Sequence, residues 1–134
     1  MSYATPEDML TRYGADELAQ MSDPFGTGEA DAAVIDRALA DAHAEIDAYL
    51  IGRYSLPLAH VPAALARIAC DIARYRLWAD RASDEVRRRY EDARRLLEQI
   101  GNGSVSIGPL VNAQPSVGSM QIVAAPARDW GILQ

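Results

Sequence analysis

The stretch "YLIGRYSLPLAHVPAALARIACDIARYRL", residues 49–77, decides the fold. A helix-like pattern stops at Gly52, a Leu-Pro-Leu link follows, and a second apolar-periodic run opens after Pro62. Gly52 suits a helix end because glycine adopts the left-handed backbone without steric cost. Pro57 keeps Leu56 out of helical geometry, and Pro62 fits the first turn of the next helix, where no backbone donor is required. A link of about ten residues lets the two helices fold back on one another. The second helix, running to about Ala79, is apolar on most sides. Leu65, Ile68, Ala69 and Ile72 form one stripe, and Ala66, Cys70, Ala73 and Leu77 form its neighbour. Such a helix belongs at the centre of a core. Only Arg67, Asp71, Arg74 and Trp78 make a polar seam. Arg67–Asp71 and Asp71–Arg74 are spaced to pair, and Arg74 to lie over Trp78. Cys70 has no histidine at a helical neighbour position, so its thiol is expected to be inert, and the seam reads as the outer trim of a hairpin.

Working outward, Asp31 caps a helix reaching about Ile51, with Ile35, Leu39, Ala42, Ile46 and Tyr49 as its buried stripe. Asp36, Asp41, Glu45 and Asp47 lie off that stripe and predict an acidic outer surface. Ser83 opens a third long helix, Val86, Tyr90, Ala93, Leu97 and Ile100 facing inward and Gly101 acting as a stop. Its outer side pairs Arg87–Glu91–Arg95, Arg88–Asp92 and Arg94–Glu98 at i,i+4, worth only ~0.2–0.5 kcal/mol each. Thr5, Pro6, Glu7 and Asp8 begin a short helix ending near Gly14, and Asp16 to Met21 make another turn or two. "SDPFGTGEAD" is a loop. The fold class is therefore all-α: short N-terminal helices and three longer packed helices over residues 1–101. An extended interaction tail, residues 102–134, follows, in which "SVSI" and "MQIVA" are candidate short strands. Leu110, Val111, Met120, Ile122, Val123, Trp130, Ile132 and Leu133 make that tail too apolar for an inert linker, and a partner surface is its expected destination.

The charge is uneven. Residues 1–62 carry 11 acids against 3 Arg, residues 63–101 carry 9 Arg against 7 acids, and the remainder one of each. A net charge of -6 and a pI near 4.8 argue against non-specific adhesion to nucleic acid. One cysteine permits no internal disulfide. The opening "MSYATPEDML" has neither a basic start nor an apolar run, so no secretory leader is expected, and no stretch approaches the ~18–20 apolar residues of a membrane span.

Chemistry finds little foothold. His43 and His60 are the only histidines, and no Cys or His spacing suits zinc. "DPFGTGEAD" lacks the alternating oxygens and distal Glu of a calcium loop. "GNGSVSIG" is followed by neither Lys nor a helix, unlike a phosphate loop. "RRR" at 87–89 is interleaved with Glu91, Asp92 and Glu98, the pattern of a solvated face. Neither an enzymatic activity nor a cofactor is expected.

The blocks "YATPEDMLTRYGADEL", "ALADAHAEIDAYLIGRYSLPLAHVP", "RIACDIARYRL" and "EVRRRYEDARRLLEQIGNGSVSIG" stand in continuous order over about residues 2–108. Together they resemble the small helical head–tail connector family of Mu-like tailed phages and prophages. The tail from Pro109 is a looser match, with "ARDWG" as its shared feature. The resemblance implies a structural virion protein of the neck, assembled in the host bacterial cytoplasm. It would form a homo-oligomeric ring, twelve-fold by that likeness, beneath the portal protein and next to a stopper or tail-terminator protein, without membrane association. On that footing Asp36, Asp41, Glu45 and Asp47 are candidate channel-facing acids, whose like charge keeps passing genomic DNA from sticking. Arg87, Arg88, Arg94 and Arg95 are candidate inter-subunit contacts. The apolar tail residues named above, with Arg128, are a candidate portal-binding segment. The competing expectation is a nucleic-acid-binding regulator or DNA-packaging accessory protein using the Arg-rich helix 83–101.

Overall fold

The computed structural model describes residues 1–23 and 26–107. Among them the chain forms five α-helices: α1 Pro6–Tyr13, α2 Ala15–Ser22, α3 Ala32–Leu50, α4 Ala63–Trp78 and α5 Asp84–Gly101, with a single 3-10 turn over Ala79–Arg81. The all-α expectation holds, and no strand is present among the described residues. "SVSI" at 104–107 opens in a bend at Ser104 and Val105 and forms no strand, while "MQIVA" lies outside the described residues.

Local chemistry starts α1, α3 and α5 where the sequence places a cap. Thr5 accepts from the Asp8 backbone N–H while the Asp8 carboxylate accepts from the Thr5 N–H, a reciprocal capping box at α1. Asp31 accepts from Ala33 and Val34 N–H at the head of α3, and Ser83 from Val86 N–H at the head of α5. Two boundary expectations need correction. Gly52 does not take the left-handed conformation; α3 stops because Arg53 and Tyr54 N–H both turn back to the Leu50 carbonyl at 2.9 Å. Pro62 sits just outside α4, as the extended residue before Ala63, rather than inside its first turn. The Leu56–Pro57 peptide is cis.

α4 is the central helix. It packs most extensively on α3, next on α5, and carries α1 and α2 on its remaining side. Leu65, Ile68, Ala69, Cys70, Ile72 and Ala73 are fully buried, and Asp71 is only 3% exposed. From α3 come Ile35, Leu39, Ala42, Ile46 and Leu50, from α5 Ala93, Leu97 and Ile100, and from the N-terminal helices Met9, Leu18 and Met21. Tyr49 and Tyr90, expected inside, are half-buried. Tyr90 stacks flat on Tyr75, ring centroids 4.3 Å apart, closing the outer edge between α4 and α5. Val105 and Ile107 pack onto the core after α5 ends, so the body continues to the last described residue. α3 and α5 meet at their C-terminal ends: a Cβ on Gly101 would stand 2.7 Å from the Tyr49 carbonyl oxygen.

Candidate functional site

The polar seam of α4 is covered at Asp71, Arg74 and Trp78, where the hairpin's expected outer trim is the seat of α1 and α2, while Arg67 stays exposed. The Tyr13 hydroxyl donates to Asp71 Oδ1 at 2.8 Å, while Arg67 stands 3.6 Å from Asp71 Oδ2. Arg74 turns away from Asp71 and forks onto Glu17, Nε to Oε2 at 2.6 Å and Nη2 to Oε1 at 3.1 Å. The Trp78 indole N–H donates to the same Glu17 carboxylate at 3.1 Å. The cation–π contacts also differ from expectation. Arg74 lies over Tyr13, 4.5 Å from the ring, and it is Arg81 that lies over Trp78. Sequence spacing along α4 could offer Arg74 only partners from α4; Glu17, 57 residues away, wins because it supplies both oxygens to the planar guanidinium.

Electrostatics follow this geometry. Burial would raise the Glu17 carboxyl, but hydrogen bonds from Arg74 and Trp78 and the guanidinium charge hold it below the usual carboxylate range. Burial and the neighbouring Asp71 carboxylate push the Tyr13 hydroxyl far above its ordinary value, so it remains a neutral donor. Burial pushes the Cys70 thiol up to about 11, with Arg12 pulling weakly the other way. A protonated, fully buried thiol is a poor nucleophile. The seam fastens helices; no nucleophile and base face one another in it.

The four acids of α3 separate into two pairs. Glu45 accepts from Arg76 at 2.6 Å and from the Tyr90 hydroxyl at 3.3 Å. Asp47 binds the Met1 α-ammonium at 2.9 Å and the Tyr3 hydroxyl at 2.5 Å. Asp36 and Asp41 are exposed, with Arg37 beside them. Two of the four thus tie the body together and two are free to meet another molecule.

On α5, Arg94–Glu98 forms as expected at 3.9 Å. In place of Arg87–Glu91–Arg95 and Arg88–Asp92, Arg87 pairs with Asp84 at 3.2 Å and Arg95 with Asp92 at 2.9 Å, and Arg89, in no predicted pair, meets Glu85 at 3.3 Å. On an exposed helix the i−3, i−4 and i+4 partners are nearly equal in energy, so spacing alone does not choose among them. Arg88 projects from this face without an ion-pair partner among the described residues. Leu110, Val111, Met120, Ile122, Val123, Arg128, Trp130, Ile132 and Leu133 lie outside the described residues.

His43 makes a structural contact that the pattern did not reveal. Its Nε2 accepts from the Ala4 backbone N–H at 3.2 Å, and its ring meets Tyr3 edge-on at 5.9 Å. Burial, then the Met1 ammonium, hold its pKa below the ordinary histidine value, with the Asp47 carboxylate opposing. The neutral ring is the form the fold uses. His43 therefore contributes stability that is complete above pH ~6.5 and is lost as pH falls through the depressed folded value. Thermal melts between pH 7.5 and 5.5 should show a declining Tm, and His43→Gln, which can accept without titrating, should flatten that decline.

No group of three or more His, Cys, Asp or Glu is placed to hold a metal among the described residues, and no described helix is long and apolar enough to cross a membrane.

Comparison with known proteins gives the chain its relatives. The Mu-like prophage FluMu protein gp36 of Haemophilus influenzae is 44% identical over 106 residues, covering 79% of this chain and 75% of that protein. Gene product J of Escherichia phage Mu is 38% identical over 109 residues, covering 81% and 77%. The family described as Bacteriophage Mu, Gp36 matches residues 3–124, nearly the whole chain and all the helices described above. With the capped helices, the central α4 and its seam all inside that span, the chain belongs to the Gp36 family of Mu-like phage proteins.

Proposed function

We propose that this phage protein is a non-enzymatic head–tail connector, a ring subunit that docks on the portal and surrounds the DNA channel of the virion neck. One observation carries the reading. The described body seats its helices on one another and fastens them by residue 107, while the apolar residues of 110–133 remain in sequence beyond it. A segment this rich in apolar side chains favours burial, and a partner surface offers it. Membership of a Mu phage family supports assembly into a particle as the setting. Asp36 and Asp41 are the acids of α3 available to a channel wall, and Arg88, without an ion-pair partner among the described residues, is the α5 cation most available to a neighbouring subunit. Within α5 five arginines face five acids, which leaves little net positive charge for a phosphate groove and disfavours the nucleic-acid reading.

The test is sedimentation of the full chain with the portal protein of the same phage. Co-sedimentation is expected, and deleting residues 109–134 should lower the affinity at least tenfold. Undiminished binding by the truncated chain rejects the tail as the docking segment. No association with portal, together with DNA binding that weakens steeply with salt, rejects the connector reading itself.

A further inference from the structure

A groove of about 430 Å³ runs between α1, α2 and the start of α3. Its floor is Leu10, Leu18, Ala19 and Ile35, and its rim carries Glu7, Asp16 and Glu29 with no cation. Leu10 is 47% exposed, one of two large hydrophobic side chains left open among the described residues. Its volume falls in the ~300–1,000 Å³ range of sites that bury a ligand. An apolar trough with an acidic rim calls for an apolar segment carrying a cation. We propose that the groove binds residues 128–133 of the same chain, "RDWGIL", with Trp130 and Ile132 on the floor and Arg128 at the acidic rim.

Two observations on the chain select this occupant. Residues 102–134 contain a single cation, Arg128, and it stands two residues before the tail's only tryptophan. The reach also fits. α5 ends beside the C-terminal end of α3, where Gly101 meets Tyr49 and Gly103 meets Arg53, whereas Ile35 marks the groove at the other end of that helix. At 1.5 Å per residue the two points are about 21 Å apart. For twenty residues, the number between Ile107 and Arg128, random-coil statistics give a root-mean-square span of about 25 Å. When linker span matches site separation, the effective concentration of the tethered segment is at its maximum, on the order of millimolar. A modest intrinsic affinity then suffices to keep the groove filled. The same side chains cannot lie in the groove and on a portal at once, so docking on a portal requires their release from the groove.

The experiment uses the full chain with the photo-crosslinking residue p-benzoylphenylalanine in place of Leu10. Irradiation followed by peptide mapping should join position 10 to residues 128–133 in a product that runs as a monomer. Crosslinks to residues 24–25, to a second copy, or to no peptide overturn the proposal. In parallel, loss of residues 129–134 by trypsin cleavage after Arg128 is timed by intact mass. Leu10→Glu should speed it about tenfold; Glu29→Arg, on an exposed loop away from the core, should speed it about threefold with an unchanged melting curve. Equal rates in the wild-type and Glu29→Arg chains overturn the proposal whether or not Leu10→Glu folds.

Discussion

Arg74→Ala should lower stability by about 2–3 kcal/mol, seen as a fall in Tm of about 10–20 °C by circular dichroism. The substitution removes a forked pair, leaves the Glu17 carboxylate with only the Trp78 N–H, and takes the cation from the Tyr13 ring. A carboxylate that is 24% exposed is partly hydrated, which places the cost below that of a fully buried broken pair. Arg74→Lys tests the geometry: it keeps the charge but cannot fork onto two oxygens, and should recover less than half of the loss. If Arg74→Ala melts within about 2 °C of the parent, the seam does not fasten α1 and α2.

The second large effect has the sign opposite to helix propensity. Gly101 is the last residue of α5, where alanine would ordinarily stabilise by about 1 kcal/mol. A Cβ at this position would stand 2.7 Å from the Tyr49 carbonyl oxygen, and a backbone atom cannot swing aside as a side-chain tip can. Gly101→Ala should therefore destabilise by about 1–3 kcal/mol through forced separation of α3 and α5, and Gly101→Val by more. Urea unfolding measures it directly. A stabilised alanine variant would show that the two helix ends do not meet as described.

The three long helices were legible because each writes its burial into its period and its start into a cap. Ile35, Leu39, Ala42 and Ile46 recur at helical spacing, and Asp31 and Ser83 mark the heads of α3 and α5. The seam was legible as a row of polar residues but not as a binding face, because its partners lie 57, 58 and 61 residues away in the sequence. Local spacing offered Asp71 to Arg74, and the fold offered Glu17. Glu45 and Asp47 passed for surface acids for the same reason: Arg76 and the Met1 ammonium come near only when the chain closes. Gly101 was read as a stop signal when it also marks a close approach, a distinction that composition does not encode. His43 carried no pattern at all, since its partner is a backbone N–H.

The separations across the seam also bear on how a ribosome delivers this protein. Tyr13 and Glu17 are synthesised more than fifty residues before Asp71, Arg74 and Trp78. At about 5–20 residues per second, that is a wait of roughly 3–12 s. Throughout it the α1–α2 segment is outside its seat, so the first helices to be translated wait for α4 before they are housed.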